Sequence, residues 1–190
     1  DATPLSGLTT TEAGGTTTFS VRLASEPASD VMLDVTSTDI GEGSVSPATL
    51  TFTQFNWNAP QTVTATGIDD DIVDGPQLFS ARVSPAAGTD AGYVGVAAVD
   101  VVISNSDDET AGFAIVPASG LTTSESGSTA NFTVALTSEP SASVLLSLSS
   151  SDSSEGTAGP TTLSFTAANW DTPRTVTITG VDDLIVDGNQ

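Results

Sequence analysis

The chain has 190 residues, no cysteine, histidine or lysine, and 24 acids against three arginines (Arg22, Arg82 and Arg174), a formal charge of −21. Disulfides and thiolate metal sites are therefore excluded. So is nucleic acid as a partner, because phosphate binding needs basic residues, and no apolar run is long enough for direct membrane insertion.

Thr, Ser, Ala, Gly and Val dominate, a composition that favours strands and turns over helices. In the first half of the chain, apolar residues alternate with polar ones in short runs between turn clusters. In chain order this predicts strand A over residues 3–10, B over Thr16–Leu23 with Phe19, Val21 and Leu23 inward, and C over Val31–Thr36 with Val31, Leu33 and Val35 inward. D follows at Thr49–Phe52, E at Thr62–Gly67, F at Leu78–Val83, and G at Ala98–Ser104 with Val99, Val101 and Ile103 inward. Seven short alternating strands argue for an all-β, immunoglobulin-like Greek-key sandwich; a β-barrel is the competing arrangement.

The pattern then returns. Residues 6–77 align without a gap to residues 119–190 at an offset of 113, and 40 of the 72 aligned residues are identical. That is the signature of a tandem repeat of domain size. The expected domains are 1–109, a complete sandwich, and 110–190, a second copy whose last two strands would lie beyond Gln190. With strands A to E alone, that second copy is not expected to fold by itself, because it would expose long unpaired edges.

Chain direction sorts the loops. Strands that run alternately up and down bring the ends of A, C, E and G to one pole. The loops there carry Glu12, Asp39, Glu42, Asp69, Asp70, Asp71, Asp74, Asp107, Asp108 and Glu109; the opposite pole has only Glu26, Asp30 and Asp90. Carboxylates a few ångströms apart repel by roughly 1 kcal/mol per pair even in water. Two arginines inside strands, Arg22 and Arg82, cannot neutralise ten acids. Loops rich in carboxylate oxygen suit Ca²⁺, which takes six to eight oxygens, better than Mg²⁺, and the lack of His and Cys argues against zinc and copper. The bland alternative is that Asp and Glu in loops are solvated or close their own turns.

Two further features have ordinary readings. Trp57 and Trp170, in the repeated NW before proline, are core plugs or sugar-stacking platforms. Asn131-Phe132-Thr133 matches a glycosylation sequon but falls within a predicted strand. The many hydroxyls have no His or Lys to activate them, so the chain is not expected to be an enzyme.

Taken together, the Glu of TTEAGG, the segment GIDDDIVDG and the acidic triplet of SNSDDETAGF resemble the Calx-β family, known from the regulatory domains of sodium–calcium exchangers and from bacterial surface proteins. The resemblance covers all of copy one and as much of copy two as is present. It implies Ca²⁺ held by Glu12, Glu42, Asp69, Asp70, Asp74, Asp107, Asp108 and Glu109; Asp71 is a further candidate from its place in the acidic run. Gln77 stands where a further acid is expected, and Glu42 stands where an Asp is expected. In copy two the corresponding acids are Glu125, Glu155, Asp182, Asp183 and Asp187, with Leu184 in place of Asp71 and a weaker or incomplete site expected. The implied function is a calcium-stiffened structural module of a large extracellular or cell-surface protein (adhesin, stalk or fibre), with the ion at the interdomain junction. Its expected partners are neighbouring repeats, identical subunits in a fibre, or a cell-surface ligand. The alternatives are a calcium-sensing regulatory module of a membrane protein and an accessory ligand-binding domain of a secreted enzyme.

Overall fold

A computed structural model describes residues 1–182 and 184 of the chain. These form two compact units: Asp1–Asp70 with Asp74–Asp108, and Asp71–Val73 with the chain from Glu109 onward.

The first unit contains β1 (Ala2–Thr3), β2 (Leu8–Thr11), β3 (Thr16–Val21), β4 (Val31–Ser37), β5 (Gly43–Ser46), β6 (Thr49–Phe52), β7 (Gln61–Gly67), β8 (Gln77–Pro85) and β9 (Val99–Ser106). One sheet has the order β1-β3-β7-β5, the other β2-β9-β8-β4-β6. All pairs are antiparallel except β2 with β9. The unit is an immunoglobulin-like sandwich with Greek-key crossings between its sheets.

Alternation explains why the sheets stack. Successive side chains point to opposite faces, and the inward set is apolar: Phe19, Val21, Val31, Val35, Leu50, Phe52, Val63, Ala65, Phe79, Ala81, Val101 and Ile103 are at most 3% exposed. Each fully buried Val, Leu, Ile or Phe contributes about 1.5–3 kcal/mol relative to the same side chain in water. Leu23 follows β3 rather than lying in it, and is still buried. Trp57 packs against this core, and its carbonyl accepts the Leu23 N–H at 2.9 Å, the role of a plug.

Three expectations are corrected. Predicted strand A is two strands in opposite sheets, β1 on β3 and β2 on β9. Pro4, which has no N–H to give a ladder, and Gly7 at φ +77 lie between them and let the chain switch sides. Gly43–Ser46 forms an unexpected edge strand against β7, its apolar content too small to signal a strand. Val99, expected inward, is 39% exposed because it is the first residue of β9, in the terminal pair of the β8–β9 ladder with Val83.

The second unit contains β10 (Phe113–Val116), β11 (Thr129–Leu136), β12 (Val144–Ser147), β13 (Gly156–Gly159), β14 (Thr162–Phe165) and β15 (Arg174–Gly180). Its sheet β10-β11-β15-β13 repeats β1-β3-β7-β5, and its ladder β12-β14 repeats β4-β6. Register is kept as well: Phe19 faces Val63, and Phe132 faces Val176. Val134, Leu136, Leu163, Phe165 and Val176 form its core, with Trp170 packed against them. In the first unit Leu33–Ser37 pair with β8, whereas β12 is paired with β14 alone among the described residues and is correspondingly shorter. Val144, Leu146 and Leu148 are half-buried where Val31, Leu33 and Val35 are buried. The three residues Asp71–Val73 join this unit through a parallel bridge of Ile72 to Glu139, and the Glu139 N–H donates to the Asp71 carbonyl at 2.6 Å.

Candidate metal centre

Register brings strand ends of the first unit to one pole. Thr11 faces Ser106 in the parallel β2–β9 pair, Gly43 faces Gly67 in β5–β7, and Gln77 faces Asn105 in β8–β9. Whatever follows β2, β7 and β9, or precedes β5 and β8, must then lie there. Backbone bonds extend the ladders one residue further: Glu12 N–H donates to the Ser106 carbonyl and Ile68 N–H to the Glu42 carbonyl, both at 3.0 Å.

Carboxylates converge on this frame. Oxygens of Glu42, Asp70 and Asp74 lie within 4.8 Å of one another. Glu12 and Asp107 approach within the same distance, as do Asp69 and Asp108. Glu12 is only 2% exposed; Glu42, Asp70 and Asp107 are half-buried, and Asp69, Asp74 and Asp108 are exposed. Asp107 also shapes the loop, since its Oδ2 accepts the backbone N–H groups of Asp74 and Gly75, the latter at φ +73. Asp39 keeps to its own turn, accepting the Gly41 N–H at 3.0 Å.

Glu42 shows the electrostatic cost. Burial pushes its carboxyl above the ordinary value of 4.5; a hydrogen bond from Asn105 opposes the shift, and the charges of Asp74, Asp70 and Asp39 push it higher. Arg82 gives no relief, because its guanidinium is engaged with Asp100 at 2.8 Å.

The donor set fits a hard cation. Two oxygens bound to one Ca²⁺ at about 2.4 Å can be no more than roughly 4.8 Å apart, and the oxygens of Glu42, Asp70 and Asp74 fall inside that limit. Asp71 is not brought into these groups; it lies with Ile72 and Val73 in the second unit. Glu109 starts the main segment of that unit.

In the second unit the local turns recur. Asp152 accepts the Ser154 N–H as Asp39 accepts that of Gly41, and Val181 N–H donates to the Glu155 carbonyl as Ile68 does to that of Glu42. Glu125 and Asp182 are exposed, Glu155 is half-buried, and Asp183 and Asp187 lie outside the described residues. Among the described residues no carboxylate trio forms there. The participant that sequence reading misses is Asn105, a fully buried amide bonded to Glu42 and Ile68. Its one signal is a polar residue at an inward position of β9.

No protein-family model matches the chain. No curated protein matches it. Among solved structures, CBD12 from CALX1.2 is similar at 16% identity over 96% of this chain and 75% of its own, with a TM-score of 0.41. The calcium binding domain CBD12 of CALX1.1 is similar at 16% identity over 93% and 73%, with a TM-score of 0.42. SSP-19, an MSP-domain protein like family member in Caenorhabditis elegans, shares 22% identity over 55% of this chain and 95% of its own, with a TM-score of 0.36. Scores this low decide nothing about family or function, and the fold class stands on the chain's own ladders.

Proposed function

We propose that this chain is a calcium-binding repeat module, with Ca²⁺ held at the acidic pole of the first unit. The observation that carries the reading is the convergence of Glu42, Asp70 and Asp74 within the span of one ion. Glu12 with Asp107 and Asp69 with Asp108 form further close pairs of carboxylates among the strand ends of this unit. Bound there, the cation offsets the repulsion that register imposes on these side chains. The Calx-β resemblance of the sequence points to the same residues.

The wider role proposed is structural, in a large extracellular or cell-surface protein built of such repeats. Asp107 and Asp108 immediately precede the segment that opens the second unit, so an ion bound to them would restrain that linkage. Tandem repetition and the near-absence of basic residues support the extracellular assignment.

Calorimetric titration with Ca²⁺, with Mg²⁺ as comparison, tests the reading. Binding to the folded state alone must stabilise it, by about 2.7 kcal/mol at a hundredfold excess over the dissociation constant. Absence of binding heat together with identical melting in Ca²⁺ and in chelator would refute it.

A further inference from the structure

Asn105 is fully buried near the end of β9, where the other inward residues, Val101 and Ile103, are apolar. An amide in that position costs free energy unless its groups are bonded. All of it is used: Oδ1 accepts the Thr10 hydroxyl at 2.9 Å, and Nδ2 donates to the Ile68 carbonyl at 3.0 Å and to Glu42 Oε2 at 3.4 Å. The Ile68 carbonyl and the Glu42 carboxylate only accept, so the orientation of the amide is fixed.

The surroundings are shaped to this amide. A Cβ on Gly67 would overlap Asn105 Oδ1 and the Thr11 carbonyl, so the end of β7 can approach the amide this closely only without a side chain. Well-packed apolar residues would fill the space without desolvation cost. What the amide adds is direction. It ties β2, β9, the residue before β5, and the carbonyl from which Asp69 and Asp70 follow.

We propose that Asn105 is a positioning residue of the calcium site, holding the Glu42 carboxylate beside Asp70 and Asp74 while anchoring the start of the Asp69–Asp70 segment. The inference rests on the calcium reading given above, and Asn105 acts through Glu42 and the backbone without contacting the ion.

The test is calorimetric Ca²⁺ titration of the whole chain carrying Asn105→Leu or Asn105→Ser, each in wild-type and Glu42→Gln backgrounds. In the wild-type background, affinity is expected to fall about tenfold, the scale of one lost hydrogen bond to a charged group. With Glu42→Gln already present, most of that loss disappears, a coupling that a merely structural role would not produce. Melting in chelator reports whether each variant folds. Should both fail to fold, Thr10→Val frees the amide from its other side and is expected to lower affinity less. Unchanged affinity in the folded Asn105 variants, or in Thr10→Val where those do not fold, overturns the inference. So does an equal loss in both backgrounds. A wild-type chain that binds no Ca²⁺ overturns the calcium reading and this inference with it; a chain weakened by Glu42→Gln yet indifferent to Asn105 overturns this inference alone.

Discussion

Ser29 donates both its backbone N–H and its hydroxyl to one carboxylate oxygen of Asp90, at 2.7 and 3.0 Å. The other oxygen accepts the Gly92 N–H at 2.7 Å, and Asp90 is 6% exposed. These bonds, that from Gly92 foremost, hold its carboxyl below the ordinary value of 3.8. A depressed folded value stabilises the protein throughout the range above 3.8, and the contribution is lost as pH falls from there through the folded value. Asp90→Asn is therefore expected to lower the melting temperature at neutral pH and to flatten the acid limb of the stability curve. Melting curves from neutrality down to about pH 2 measure it; wild type and variant losing stability in parallel below 3.8 would contradict the assignment.

The acidic pole should respond to neutralisation with opposite signs in two buffers. In chelator, Glu42→Gln, Asp70→Asn or Asp74→Asn each remove like-charge repulsion, on the order of 1 kcal/mol per close pair in water, and should raise the melting temperature. In excess Ca²⁺ the same changes remove a ligand and should lower it. Asp30→Asn, placed by the sequence at the other pole, should leave Ca²⁺ affinity unchanged. Scanning calorimetry in both buffers decides the matter, and a shift of the same sign in each would count against a metal site.

Gly67 and Gly180 occupy the same place in the two repeats. A Cβ at Gly67 meets the Thr11 carbonyl, and one at Gly180 meets the Ser124 carbonyl; both obstacles are backbone. Alanine at either position must displace a chain segment, at a cost of about 1–3 kcal/mol. Urea unfolding of Gly67→Ala and Gly180→Ala measures this, and a neutral result at both would show that the ends of β7 and β15 have more room than the structure gives them.

A matched pair of leucines compares the two cores. Leu33 is 7% exposed between β6 and β8, while its repeat equivalent Leu146 is half-buried on a two-stranded ladder. Leu33→Ala should cost about 2–5 kcal/mol, and Leu146→Ala less, since less surface leaves water there on folding. Denaturant titration, with Trp57 and Trp170 as local reporters of the two units, is the measurement. Equal costs would mean that the face of β12 is covered in solution.

The repeat, the sandwich class and most of the inward residues are legible from local patterning of the chain. Phe19, Val21, Leu33 and Ile103 are legible because the two-residue period of a strand is a local property. The sequence also placed the acids at strand ends, since their order along the chain fixes on which side of a strand each falls. Tertiary structure alone decided which acids meet. Thr11 against Ser106 sets Glu12 beside Asp107, and Gly43 against Gly67 sets Glu42 beside the segment that carries Asp70. Asp71, indistinguishable from its neighbours in the run of three, is drawn elsewhere by the pairing of Ile72 with Glu139. The division of predicted strand A between two sheets, the edge strand Gly43–Ser46 and the role of Asn105 were hidden for the same reason. Each depends on hydrogen bonds between backbone segments far apart in the chain, and local alternation carries no record of which edge a strand will find.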